Sequence, residues 1–309
     1  MDDVLVVGEA LVDIVLRPGA PAEEHPGGSP ANVALGLARL GRRADLLTRI
    51  GDDERGRAVR AHLESSGVRL VPGSVTGERT STAAAHLDAA GTASYDFDLD
   101  WRLPAEPPSD AAACVHTGSI AAFLPPGGDA VLALIEKSTG RSTVSYDPNA
   151  RPRLMGDPVA ARLRVETFVR HADVVKVSDE DLAWLTPGDE PVDVAARWLA
   201  SGPAVVVVTL GGEGALAVCR AGVVRVPAPR IGVVDTVGAG DSFMAGLLDH
   251  LATLDLLGPD RLADLRELDT GELTRMLMHA ARIAAITCTR AGANPPTRAE
   301  LDAWPASNA

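Results

Sequence analysis

The chain has 309 residues, 46% hydrophobic and 23% charged, enough for one large α/β domain or two modest ones, with no need of disulfides or a structural metal to hold a core. Its 42 Asp and Glu outweigh 29 Lys and Arg to give a formal net charge of -13, which argues against non-specific binding to nucleic acid or to an anionic membrane. The lysines are Lys137 and Lys176, and neither follows a glycine, so a P-loop is excluded.

In chain order, the start Met1-Asp2-Asp3-Val4 is acidic where a secretory leader needs basic residues. Residues 4–7 read as the first strand. Residues 30–40 carry Val33, Ala34, Leu37, Ala38 and Leu40 at helical spacing, ended by Gly41. Residues 44–50 read as a strand, 53–66 as a helix closed by Gly67, and 68–71 as another strand. Two strand-like runs, 81–87 and 92–97, joined by Asp88-Ala89-Ala90-Gly91, form a hairpin with no crossover helix after it. With residues 11–16 they are expected to build a small β lid, inserted at about 11–26 and 79–100, or else a static edge hairpin. The longest uncharged run, 111–128, holds Pro125, Pro126, Gly127 and Gly128 and reads as a strand plus a loop, so no transmembrane helix is expected. Strands at 113–117, 143–146, 174–177 and 205–209 then alternate with helices near 129–138, 158–170 and 192–200. This βαβ series predicts one α/β domain over residues 1–309, with a doubly wound, mostly parallel sheet. Cys114, Cys219 and Cys288 are widely spaced in apolar or small-residue settings and read as reduced core thiols, in keeping with a cytoplasmic protein. The seven histidines show no metal-ligand spacing.

Chemistry concentrates at Asp235-Thr236-Val237-Gly238-Ala239-Gly240-Asp241, which leads into a helical pattern with Phe243, Leu247, Leu248 and Leu251 on one side. Small residues at a helix start expose unpaired amides at the positive end of the helix dipole, an anion site. Gly238, Ala239 and Gly240 let a phosphoryl group approach those amides closely. A carboxylate beside a phosphate repels it, so Asp241 is better placed to accept a proton from an attacking hydroxyl; the plainer alternative makes it a helix cap on a tight turn. A dinucleotide site fails here, because Phe243 stands where close packing needs Gly or Ala. Gly212-Glu213-Gly214 is followed by a strand-like run, 215–219, where a dinucleotide fold needs a helix.

The 235–241 segment resembles the C-terminal motif of the ribokinase-like, or PfkB-type, carbohydrate kinases. Gly27-Gly28-Ser29-Pro30-Ala31-Asn32, with Gly36 and Gly41 beyond, is similar to their N-terminal motif. The resemblance runs from Val4 to Ala293 and implies a three-layer α/β/α fold with a β lid. It also implies an ATP-dependent sugar kinase using Mg²⁺ and a monovalent cation such as K⁺, with a homodimer as the expected assembly.

Residue by residue, the resemblance makes Asp241 the catalytic base and Gly238, Ala239 and Gly240 the anion hole. Asp235 becomes a ligand of the monovalent cation, an idea supported by the cost of burying a carboxylate before a phosphate-binding turn, unless it only caps backbone amides. Asp13, placed at the end of the first strand segment, Gly28 and Asn32 become sugar contacts, with Asn32 otherwise a structural helix-start residue. Asp147-Pro148-Asn149-Ala150-Arg151 resembles the family's Asp-Pro-Asn-x-Arg, making Arg151 a substrate or phosphate contact, or else an ordinary surface arginine. Lys176-Val177-Ser178-Asp179-Glu180-Asp181 falls on an element tied to phosphate and Mg²⁺, with Lys176 on the nucleotide side. Asp181, or Glu180, would order Mg²⁺ through water, unless these acids only complement a helix dipole. Thr209, Gly211 and Gly214 become ATP contacts, while Ala281 offers the adenine only a methyl. Glu9-Ala10-Leu11-Val12-Asp13, the 25–32 segment and Asp147-Pro148-Asn149 are most similar to fructokinases, so D-fructose is the expected substrate. A nucleoside or 2-keto-3-deoxy sugar-acid kinase of the same family is the alternative, and a non-catalytic sugar-binding protein a further one.

Overall fold

The computed structural model describes residues 3–87, 93–103 and 112–305, so the hairpin connection 88–91 lies outside the described residues. Strand β1 (Val4–Val7) leads directly into β2 (Leu11–Leu16) and β3 (Glu23–Gly27). Then come α1 (Ser29–Arg39), β4 (Ala44–Leu47), β5 (Ile50–Gly51), α2 (Glu54–Ser65), β6 (Arg69–Leu70) and β7 (Val75–Thr76). Strands β8 (Thr82–Leu87) and β9 (Ala93–Asp98) follow, then β10 (Cys114–Gly118), α3 (Gly127–Ser138), β11 (Thr143–Asp147), α4 (Pro152–Met155), α5 (Pro158–His171) and β12 (Val174–Ser178). The last third holds α6 (Asp179–Leu185), α7 (Pro191–Leu199), β13 (Val205–Thr209), β14 (Ala215–Cys219), β15 (Gly222–Val226), α8 (Ala239–Thr253), α9 (Leu262–Arg266), α10 (Thr270–Cys288) and α11 (Arg298–Ala303).

Nine strands form one sheet in the order β15-β14-β13-β12-β11-β10-β1-β4-β6, parallel except where β14 and β15 turn back antiparallel at one edge. Helices cover both faces, so central strands read as unbroken apolar runs whose alternate residues enter different cores. In β13, Val205 and Val207 join the core under α1, α8 and α10, whereas Val206 and Val208 join the one under α3, α5 and α7. This is the expected three-layer doubly wound fold. Chain direction across the sheet reverses between β1 and β10, and a ligand crevice forms outside the carboxyl ends of strands at such a switch point.

A second sheet, β3-β2-β8-β9, stands apart from the first and is built from both lid segments. Its central pair is parallel, with Asp13 opposite Ala83. Alternation gives it two faces. Val12 and Ile14 pack into the main core with Val59 and Leu63 of α2, while Leu11, Asp13, Ala83, Tyr95 and Phe97 line the central cavity. Asp13 therefore lies in the middle of a lid strand, a correction to its expected place at the end of the first strand segment.

Other departures have local causes. The strand expected over 44–50 is split because the Thr48 amide donates to Ser74 Oγ (3.2 Å), after which Ile50 pairs with Val75 in a separate ladder. The run 111–128 is not strand plus loop throughout, since α3 already starts at Gly127. Helix α10 was not anticipated, although Leu273, Met276, Leu277, Ala280 and Ile283 repeat at helical spacing and are buried. Of the three thiols, Cys114 and Cys219 are buried and that of Cys114 is pushed up to about 12 by burial, but Cys288 is half-buried in the cavity wall and is not a core residue.

Candidate active site

A cavity of about 1260 Å³ opens between the carboxyl edge of the large sheet and the lid. That exceeds the ~300–1,000 Å³ usual for one small molecule, which is room for two reactants. One wall is the start of α8. Gly238 sits there in the left-handed region (φ 73°), and a Cβ on it would lie 2.6 Å from the Ala293 methyl, so glycine is required by both conformation and space. The Ala239 amide donates to Thr236 O (3.1 Å), and Ser242 N closes the first helical bond to Gly238 O (2.8 Å). Among the described residues the amides of Gly240 and Asp241 have no protein acceptor. Of the amides expected to meet an anion, the Ala239 N–H is spent on the turn.

Asp241 is buried in the first turn of α8. Its Oδ1 accepts from Ser29 Oγ (2.7 Å) and its Oδ2 from Asn32 Nδ2 (2.8 Å), both on the first turn of α1. Asn32 is thus brought to the expected base, and Asp241 does not cap α8, whose N-terminal cap is Gly238 without a side-chain bond. Gly28 (φ 106°) lets the chain pass tightly over Glu9, where a Cβ would come within 2.5 Å of the Glu9 carbonyl oxygen.

Behind the turn lies a buried ion pair, Lys176 Nζ to Asp147 Oδ2 at 2.9 Å. The ammonium sits against the phosphate turn, 3.2 Å from where a Gly240 Cβ would be. Burial opposes its charge, but Asp147, Asp181 and Asp241 outweigh that and raise the Lys176 pKa. Burial pushes the Asp147 carboxyl up to about 6 against the pull of Lys176.

Arg151 is pinned by its own neighbours, its NH1 donating to Asn149 O (3.0 Å), Asn149 Oδ1 (2.6 Å) and Ala150 O (3.0 Å) while the residue lines the cavity. Both Asp181 oxygens accept backbone amides, Oδ1 from Ala150 (2.8 Å) and Oδ2 from Ser178 (3.3 Å), in a capping box on α6. Glu180 is exposed at the cavity edge. Asp235 is half-buried where a buried carboxylate was expected, and its oxygens accept from Val237 N (3.0 Å) and Gly292 N (2.8 Å). Those two amides hold its pKa below the ordinary carboxylate value, so no uncompensated buried charge calls for a cation. Among the described residues no group of three or more His, Cys, Asp or Glu could cage a metal ion.

Asp13 faces Asp241 across the cavity. The residue is exposed to the cavity, and the partial desolvation there raises the carboxyl above the ordinary value against the pull of Arg151 and His25, with Asp241 adding to the rise. Thr209, Gly211 and Gly214 line the far end, where Ala281 and Cys288 close the wall. Ser29, Asn149, Asp147 and Glu9 were not singled out by the sequence reading, although all four lie inside its quoted motifs.

Glu9, just past β1 at the switch point, accepts from Ala121 N (3.0 Å), and burial pushes its carboxyl up to about 7. A raised pKa favours folding below the unfolded value of 4.5 and loses that contribution as pH climbs through 7. Glu9→Gln is therefore expected to gain roughly 3 kcal/mol on the wild type between pH 4.5 and 8. Urea midpoints at both ends of that window check it, and parallel curves would refute the assignment.

Comparison with known proteins agrees with this geometry. The model of the pfkB family carbohydrate kinases matches residues 1–300. The chain is 35% identical over 274 residues to a fructokinase of Rhizobium leguminosarum bv. trifolii, covering 85% of this chain and 84% of that protein. It is 37% identical over 270 residues to a fructokinase of Klebsiella pneumoniae, covering 84% and 87%. A fructokinase double mutant of Vibrio cholerae O395, solved in its fructose-, ADP- and potassium-bound form, superimposes with a TM-score of 0.80 at 28% identity over 98% of both chains. With a ribokinase-like fold, both motifs at one cavity and a family match over nearly its whole length, the chain belongs to the pfkB family of carbohydrate kinases and is a phosphotransferase.

Proposed function

We propose that the protein is a fructokinase, transferring the γ-phosphoryl of ATP to a hydroxyl of D-fructose. The observation that carries this is the placement of Asp241, a buried carboxylate, at the helix start that offers open amides, in a cavity shared with Asp13. In-line attack needs the acceptor hydroxyl beside the carboxylate and the transferring group over the amides. Asp241 takes the hydroxyl proton, while the amides of Gly240 and Asp241, within the Gly238-Ala239-Gly240 turn, and the Lys176 ammonium stabilise the charge spread over the phosphoryl oxygens. Asp13, Gly28 and Asn32 hold the sugar, Arg151 reaches the sugar or the phosphate, and Thr209, Gly211 and Gly214 hold the nucleotide. A carboxylate can bridge adjacent hydroxyls, so a substrate lacking one leaves it unpaired, which suits a polyol.

Mg²⁺, bound together with ATP, would supply countercharge at the phosphates. The residues fit this role, since Mg²⁺ favours phosphate and water over an all-protein cage and Glu180 is a free carboxylate at the cavity edge. Asp181 would act through water with the lone pairs its two amide bonds leave. Asp235 remains the proposed contact for K⁺, its support being its ionised state and the potassium in the Vibrio structure. The cytoplasm is the proposed compartment, on three unpaired cysteines.

A 2-keto-3-deoxy sugar acid is the second reading, favoured by Arg153, whose exposed guanidinium lies 5.2 Å from the Tyr95 ring centroid and lines the cavity. ADP release from purified protein with ATP and Mg²⁺, with and without K⁺, decides among fructose, other hexoses, nucleosides and sugar acids. Fructose is expected to exceed the other classes by about 10²-fold or more in kcat/KM. A better sugar acid or nucleoside replaces the substrate assignment, and no turnover with any acceptor rejects the enzyme.

A further inference from the structure

A serine at the first position of a helix has little to do there, since an alanine suits the same backbone. Ser29 makes no cap for α1, whose N-terminus carries no side-chain bond. Its hydroxyl is buried and turned to a residue 212 positions away, donating to Asp241 Oδ1 at 2.7 Å. The direction of that bond is set from behind. Arg151 NH1 donates to Asn149 Oδ1 (2.6 Å), which commits the other end of the amide, and Asn149 Nδ2 then donates to Ser29 Oγ (2.7 Å). With its oxygen occupied as an acceptor, Ser29 is left with its proton for Asp241. Asn149 is itself held at φ 38°, a left-handed conformation that asparagine tolerates and that aims its amide inward. The result is a one-way chain, Arg151 to Asn149 to Ser29 to Asp241, in which each bond polarises the next.

We propose that Ser29 is a positioning residue for phosphoryl transfer: oriented by Asn149 and Arg151, it fixes the Asp241 carboxylate plane together with Asn32. The proposal rests on the reading of Asp241 as the base. A carboxylate offers about four lone-pair sites, so with Ser29 and, at 3.4 Å, Asn149 on Oδ1 and Asn32 alone on Oδ2, it is Oδ2 that keeps an open site for the acceptor hydroxyl. Donors to the charged form lower its proton affinity, so losing one raises it. The charged groups that act on Asp241 are Asp13 from β2, Asp147 from β11 and Lys176 from β12. Helix α1 presents the neutral Ser29 and Asn32, and α10 meets the same turn of α8 through Thr287 on Ser242 Oγ (2.9 Å). Substituting Ser29 leaves every one of those charges in place.

The test is the pH profile of kcat/KM with the sugar and ATP that the wild type uses, for the full chain and Ser29→Ala. The acid limb is expected to move up by about half a unit to one unit, since a hydrogen bond to a charged group is lost and Asn149 Nδ2, 3.4 Å from Oδ1, replaces part of it. On the alkaline plateau kcat falls ~3- to 10-fold, and the KM values for sugar and ATP stay within about twofold. Ser29→Thr, which keeps the hydroxyl, returns the limb to the wild-type position. A limb that does not move in Ser29→Ala, whatever happens to kcat, overturns the proposal, as does a Thr variant that behaves like Ala. Failure of the base reading itself gives a different signature, because Asp241→Asn would then retain turnover.

Discussion

Asp241→Asn is expected to fold, to bind ATP with its Kd unchanged within about twofold, and to lose about 10³-fold or more in kcat. The loss is chemical, since the amide has no lone pair basic enough to take the hydroxyl proton. The fold survives because the surroundings can accept the swap. Asn32 Nδ2 can donate to the new carbonyl oxygen, and Ser29 Oγ, which already accepts from Asn149, has a second lone pair for the new NH₂. Binding by isothermal titration and turnover by ADP release separate the two effects. Turnover within tenfold of the wild type would remove Asp241 from the role of base.

Lys176→Met is expected to cost both activity and stability, with different dependence on pH. Turnover falls by about 10²-fold, the loss of one preorganised charge at the transferring group. Stability at pH 8 falls by about 3–5 kcal/mol, because Asp147 is left buried without its partner and has to stay ionised there or take up a proton. That carboxyl already has a pKa of about 6, and removing the ammonium that lowers it drives it higher. A group whose folded pKa is raised contributes stability at low pH that is lost as pH rises through the folded value, so the deficit shrinks by pH 5, where Asp147 is protonated. Denaturant midpoints at pH 5 and pH 8 measure this, and equal losses at both would count against a charged pair. The double variant Lys176→Met/Asp147→Asn should regain most of the stability and none of the turnover, which divides the structural role of the pair from its role at the phosphate turn.

Contiguity decided what was legible in the sequence. The turn at Gly238 to Asp241 was readable because its glycines, helix start and carboxylate lie in one short segment, and β13 and β14 because their apolar runs stand between turn residues. Asn149 and Ser29 sat in recognisable motifs, yet their contacts join segments 212, 120 and 92 positions apart in sequence, which no local pattern reports. Asp235 is less deeply buried than expected for a related reason. Its burial depends on how the loop at Gly292 folds over it, and that loop comes 57 positions later. The split of the 44–50 strand has the same origin, since Ser74 competes for the Thr48 amide. Helix α10 was a different kind of miss, because its periodicity was present in the chain.

The parallel pairing at the centre of the lid limits how this enzyme can be rebuilt. Val12 is matched with Thr82 and Leu16 with His86, so neither middle strand is part of a hairpin with the other. Cutting out residues 82–98 would strip β2 of a partner along its length and leave the strand that carries Asp13 with an open hydrogen-bonding edge. The lid is thus woven from two distant stretches of chain, with α1, β4 and α2 folded between them. A chimera meant to import another relative's sugar preference has to exchange both stretches together. Grafting one alone would pair strands whose side chains were never fitted to each other.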